Sequence, residues 1–253
     1  MTNETTAAEF EEVAEMPKAS PTLIEGLPGH GLVAAIAVDQ VTEQLGLEHV
    51  GNITSKEFPP AVTFENGRVH DLVRVYSGSD PAVMTLESDI ALPAPSFEPL
   101  SQCVLEELAE EFSRAVFLAG APAESEEGIG RVTGVATTEA LKNELIEAGI
   151  SVPDDPGLVG GITGALVQAC YHADVPAALL IVRSHPFLPD PEAARAVIET
   201  ALEPLVEFDI ETTQLEEQAD EIRERMQQVA QQYQQMAEEQ QDQQQQVQRG
   251  MFQ

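Results

Sequence analysis

Tryptophan is absent from this 253-residue chain, and aromatic residues together make up only 5% of it. A core must therefore be assembled mainly from Leu, Val, Ile and Ala, and the 43% apolar content can supply one. Positive charge is equally scarce. Twelve Lys and Arg stand against 44 Asp and Glu, a formal net charge of −32, and lysine occurs only at Lys18, Lys56 and Lys142. No basic patch is available to release counterions from phosphates, so nucleic acid is not an expected partner. The two cysteines, Cys103 and Cys170, lack metal-ligand spacing and cannot make a disulfide framework; both are expected to be small buried hydrophobes. No metal and no cofactor is expected. No apolar run reaches membrane-spanning length. The first residues, MTNETTAAEFEEVAEMPKAS, have neither the basic nor the apolar region of a signal peptide. A soluble, cytoplasmic protein without a membrane partner is the expectation.

What is present in excess is negative charge on a chain rich enough in apolar residues to fold. Self-repulsion would strain such a domain in dilute buffer. Molar salt, which shortens the Debye length to about 3 Å, makes it tolerable. A halophilic, salt-rich cytoplasm is predicted.

The length suits one large domain with an appendage. Residues 1–19 read as an acidic flexible leader, and residues 20–209 as an α/β domain. TLIEGLPG is a strand entering a glycine turn, followed by helical spacing from Leu32 to Leu45 that stops at Gly46. HVGNITS is a strand. AVTFENGRVHDLVRVYSG is a hairpin, since Asn66-Gly67 between two β-rich runs is a strong turn signal. AVMTLES and RAVFLAGAP are buried strands separated by a helix from Pro99 to Phe112. GRVTGVAT is ambiguous. EALKNELIEAG and ITGALVQACYHA are helices, AALLIVRSH is a strand, and DPEAARAVIETALEPLVEF is a long helix with Asp190 as N-cap and Pro191 at its first position. Apolar strands alternating with helices predict a layered α/β fold, and the hairpin makes the sheet mixed.

Beyond this domain the composition changes. Leu215, Ala219, Ile222, Met226, Val229, Tyr233 and Met236 recur at alternating spacings of four and three, an a/d seam sustained for about three heptads. Glutamine and glutamate surround it, which favours a projecting helix over one packed on its own domain. Residues 210–248 are read as that helix, roughly 57 Å long if continuous from Glu211 to Gln248. Gly250 breaks it, and residues 249–253 form a tip ending in Met251-Phe252-Gln253.

Two glycine loops are candidate sites. EGLPGHGLVAAIA carries Gly26, Pro28, Gly29 and Gly31; GLVGGITGA carries Gly157, Gly160, Gly161 and Gly164. Either could cradle an anion at a helix start, or could be small to allow tight helix–strand packing. The second reading is preferred, because neither loop contains a Lys or Arg and neither matches a nucleotide-binding spacing. His30, His70, His172 and His185 have no partner recognisable in the sequence. Ser184, His185 and Asp190 near a strand end could contribute to a site, though no hydrolase or metalloprotease motif accompanies them.

Taken in order, EGLPGHGLVAAIA, Pro59-Pro60, RAVFLAGAP, PGLVGGITGALVQAC and LPDPEAARAVIETALEPL resemble the PAC2 family of proteasome assembly chaperones, its archaeal branch above all, across about residues 20–225. The resemblance implies an α/β fold of phosphorylase/hydrolase-like type, homo-oligomeric assembly and no enzymatic activity. It also implies binding to 20S proteasome α subunits, in some relatives through a C-terminal hydrophobic-Tyr-any tripeptide whose carboxylate meets a pocket lysine. Met251-Phe252-Gln253 fits that pattern except for the missing tyrosine hydroxyl. The alternative reading is a nucleotide-binding or phosphorylase-like enzyme that uses the glycine loops.

Overall fold

The computed structural model describes residues 8–222, Phe187 and the side chain of Glu65 excepted. The first compact unit ends at Thr212.

Its frame is an eight-stranded mixed sheet. In chain order the strands are β1 (Ala8–Glu12), β2 (Thr22–Gly26), β3 (Glu48–Ser55), β6 (Val73–Ser79), β7 (Ala82–Ser88), β8 (Arg114–Pro122), β9 (Val132–Ala136) and β10 (Ala177–Ser184). The short strands β4 (Thr63–Glu65) and β5 (Arg68–His70) form a separate hairpin. The spatial order is β1-β3-β6-β7-β2-β8-β10-β9. β7, β2, β8 and β10 run parallel to one another, and antiparallel strands complete both sides. The parallel centre follows from composition: strands such as RAVFLAGAP and AALLIVRS are apolar on both faces and need helices above and below.

Those helices are α1 (Val33–Leu45), α2 (Phe97–Cys103, extended by a π-turn over Val104–Leu108), α3 (Glu139–Glu147), α4 (Gly161–His172), α5 (Pro191–Val197, then a π-turn over Ile198–Leu202) and α6 (Glu203–Val206). α1 packs with α5 on one face; α2 packs with α4 on the other. Between the second pair and the sheet lies a core centred on Phe117, with Leu23, Met84, Leu100, Leu166 and Leu179 around it.

Local signals place most boundaries. Gly46 ends α1 at φ 61, where glycine carries no Cβ penalty. Asn66 and Gly67, at φ 49 and 78, both take the left-handed conformation that a tight hairpin turn demands. Asp190 caps α5, its side chain accepting from Ala193 N–H, with Pro191 in the first turn. The ambiguous segment after Gly130 is β9, an antiparallel edge strand. The helix expected from Pro99 to Phe112 instead begins at Phe97 and ends by Leu108. Pro99 is accommodated in the first turn, where its missing N–H costs no hydrogen bond.

One expectation is overturned. The acidic leader is not free through residue 19, because Ala8–Glu12 forms β1, antiparallel to β3. Ala8 is buried and the Phe10 ring rests against Gly51, where a Cβ would stand 2.2 Å from two ring carbons. Two inward apolar side chains among outward acids are enough to dock a strand, but its partners on β3, from Gly51 to Ser55, lie beyond β2 and α1 in the chain.

In the second unit, residues 213–222 are helical and carry Leu215, Ala219 and Ile222. The remaining seam residues Met226, Val229, Tyr233 and Met236, and the tip Met251-Phe252-Gln253, lie outside the described residues. No helix among the described residues is long and apolar enough to cross a membrane.

Filling the space under the Phe10 ring should detach β1 alone. Gly51→Val is expected to cost about 1–3 kcal/mol and to speed amide exchange at residues 9–12, while β2 and β8 stay protected. Unchanged exchange at residues 9–12 would show that the ring is not what holds the strand.

Candidate functional site

The two glycine loops, remote in sequence, meet at the carboxyl ends of β2, β8 and β10. The loop after β2 enters a short 3-10 turn, His30–Leu32, and then α1; the second loop enters α4. Between them is a crevice of about 490 Å³, lined on the loop sides by Gly29, His30, Gly157 and Gly160, by Thr163 of α4, and by Arg183 of β10.

The glycines divide by role. A Cβ at Gly26 would stand 2.6 Å from Val38 Cβ, so this residue lets α1 lie close on β2. Gly164 has the same function against the Val159 carbonyl, at 2.5 Å. Gly29, Gly157, Gly160 and Gly161 have nothing within 4 Å of a Cβ and border open space. Gly31 sits at φ 65 with Ser184 Oγ beside it. Pro28 is half-buried between the two kinds. Arg183 supplies the cation that neither loop has, and no local pattern could have announced it.

The residues at the end of β10 are mostly committed. Asp190 accepts from His185 N–H at 2.6 Å and from Ala193 N–H at 3.0 Å, while its own N–H donates to the Gly31 carbonyl at 2.8 Å. Its carboxylate is therefore occupied in capping and in tying two loops together. His30 Nε2 and Ser184 Oγ, by contrast, are buried without a hydrogen-bond partner among the described residues. His70 borders a different cleft, and His172 ends α4.

Beneath the crevice lies Glu25, fully buried in β2. Thr163 Oγ1 donates to its carboxyl at 3.2 Å, and Leu118 N–H approaches at 3.4 Å. Burial pushes its pKa up to about 8, and these donors only partly offset the loss of water. The carboxyl is protonated at neutral pH. The signal for it was present in the sequence as a lone acid in the apolar run TLIEG.

A second polar cleft, of about 530 Å³, separates α1 from the β4–β5 hairpin. Arg74 pairs with Asp89 through both guanidinium nitrogens, one at 3.1 Å, and its Nε donates to Tyr76 Oη at 2.9 Å. Burial alone would raise the Asp89 pKa, but the Arg74 contacts outweigh it and hold the carboxyl below its ordinary range. Glu87, mostly buried, is raised by desolvation against the hydroxyls of Thr42 and Thr85. Sequence reading missed this cluster, whose members come from separate strands and a helix.

Cys103 and Cys170 are buried, and loss of water raises their thiols to about 12 and about 11. Neither is a nucleophile near neutral pH. Among the described residues no group of His, Cys, Asp and Glu has metal-binding geometry.

Comparisons with known proteins agree with this architecture. A family model described as PAC2 family matches residues 23–230. The uncharacterized protein MJ0106 of Methanocaldococcus jannaschii is 29% identical over 191 residues, 75% of this chain and 77% of its own. Among solved structures, Pyrococcus furiosus PbaA, described as an archaeal homolog of proteasome-assembly chaperone, superposes with a TM-score of 0.79 at 23% identity, covering 93% of this chain and 97% of that one. PbaB from the same organism, described as an archaeal proteasome activator, gives 0.78 at 23% identity over 89% and 99%.

The raised carboxyl makes stability depend on pH. A group with its folded pKa above the unfolded value is fully compatible with folding below about 4.5, and stability falls as pH rises toward 8. At about 1.4 kcal/mol per unit, the loss over that window is roughly 3–5 kcal/mol. Glu25→Gln is expected to flatten this decline and to raise the melting temperature at pH 8. Parallel pH profiles for the two proteins would show that Glu25 is not buried neutral.

Proposed function

The chain belongs to the PAC2 family, and from that premise we propose that it is a non-enzymatic chaperone or adaptor of the archaeal 20S proteasome. It works as a cytoplasmic homo-oligomer that engages α subunits through its C-terminal tripeptide. The observation that carries this reading is Met251-Phe252-Gln253, a hydrophobic-aromatic-any ending behind a glutamine-rich tail in a chain of this family. The descriptions of PbaA and PbaB point to the same machine.

The physics is that of a small anchor on a long tether. The Phe252 ring enters a preformed pocket between neighbouring α subunits, an area worth about 1.5–3 kcal/mol when desolvated. The terminal carboxylate adds a charge-assisted contact to a lysine of the pocket. One tail binds weakly; several on one oligomer raise the effective concentration. Without the tyrosine hydroxyl, ring burial and the carboxylate carry the contact. The body supports a non-enzymatic role, since the carboxylate of Asp190 is spent on capping and Glu25 is sealed and neutral.

Deleting residues 251–253 should abolish co-purification with 20S particles in high salt, and Phe252→Ala should weaken binding to the purified core about ten- to hundredfold. Unchanged affinity in Phe252→Ala would end the docking mechanism and leave the family assignment intact. Salt provides a second check. Because the −32 charge is tolerated through screening, the melting temperature should climb steadily from about 0.2 M to about 3 M KCl. A flat or falling profile would contradict a halophilic protein.

A further inference from the structure

We propose that the crevice at the carboxyl ends of β2, β8 and β10 binds a small organic phosphate, a function separate from proteasome docking. Its volume of about 490 Å³ falls within the range of roughly 300–1,000 Å³ usual for ligand pockets. That exceeds what a bare anion fills. Leu118, Ala119, Val159 and Ile181 give it an apolar wall, while His30, Thr163 and Arg183 line the polar side.

Charge decides the class of ligand. The chain carries 44 Asp and Glu, yet among the described residues no acid lines this crevice, which holds an arginine and a histidine instead. Glu25, the acid beneath Thr163, is kept neutral by burial and adds no negative field at pH 7. α1 and α4 both begin here without a side-chain cap, at the positive ends of their helix dipoles.

The turn that borders the crevice is tightly packed on its far side. Among the described residues His30 Nε2 and Ser184 Oγ are buried without partners, and Ser184 Oγ lies 2.7 Å from where a Gly31 Cβ would stand. Leu32, next in the turn, holds φ 50, a conformation costly for a branched residue. The left-handed leucine strains the turn whose His30 forms part of the crevice lining.

The test uses the full chain at fixed high chloride, titrated by calorimetry with phenyl phosphate and with inorganic phosphate. Phenyl phosphate is expected to bind saturably and to raise the melting temperature, with inorganic phosphate weaker because it leaves the apolar wall bare. Gly29→Val and Gly160→Val sit at extended backbone, φ −137 and −115, with open space at the Cβ. Both should fold with an unaltered melting temperature and lose the ligand. Arg183→Gln should weaken binding about tenfold. No saturable heat from either probe in the parent chain would overturn the proposal, and so would equal binding in both glycine variants.

Discussion

A carboxyl group that must keep its proton stands at the centre of the sheet. Glu25 lies in β2 opposite Phe117 of β8, takes a hydrogen bond from Leu118 N–H, and is held from above by the Thr163 hydroxyl of α4. In one residue it joins two parallel strands to a helix start. Ionising it there would leave a charge with only neutral donors around it, and that desolvation cost is the largest influence on its pKa. On the opposite face the same strand is gripped by α1, close enough at Gly26 that even one methyl group would collide with Val38. β2 is therefore fixed on both sides within two residues, and the loop that follows it starts from a rigid point.

A second carboxyl, that of Asp89, is stabilised nearer the surface by a different route. Around Asp89, Arg74 supplies the opposite charge, and Tyr76 orients the guanidinium. A partly exposed site tolerates an ion pair because water still screens and solvates it. Deep in the sheet, protonation is the cheaper solution, since a paired charge would bring two ions out of water. The same overall acid excess thus produces one neutral carboxyl and one ionised one, and depth decides between them.

What could be read from the sequence was local. Gly46, Asn66-Gly67 and Asp190-Pro191 announce themselves because a turn or cap depends on the residues beside it. Apolar strands such as RAVFLAGAP announce the parallel centre for the same reason. β1 did not, because its docking rests on Phe10 meeting Gly51, and no pattern within an acidic segment reveals that pairing. Arg183 was likewise invisible as a neighbour of the glycine loops. It reaches them only through the parallel registry of β10 beside β8, a fact about topology rather than spacing. Glu25 was legible in principle, since an acid inside TLIEG has to be explained, and only its partner Thr163 required the fold.

The two recognition chemistries proposed for this chain make opposite demands on its charge. A tail that carries a ring and a carboxylate to another protein's cation needs nothing from its own surface. It can operate from a chain of almost any acidity, provided the ring finds its pocket. A crevice that receives an anion needs the reverse, and a net charge of −32 works against it at every distance salt does not screen. Such a site can persist only where acids are excluded from the lining and the one beneath is neutral, with a fixed cation brought in by topology. The crevice meets each of these conditions. Tight packing accounts for Gly26 and Gly164, but Gly29 and Gly160 touch nothing and need another reason to be small.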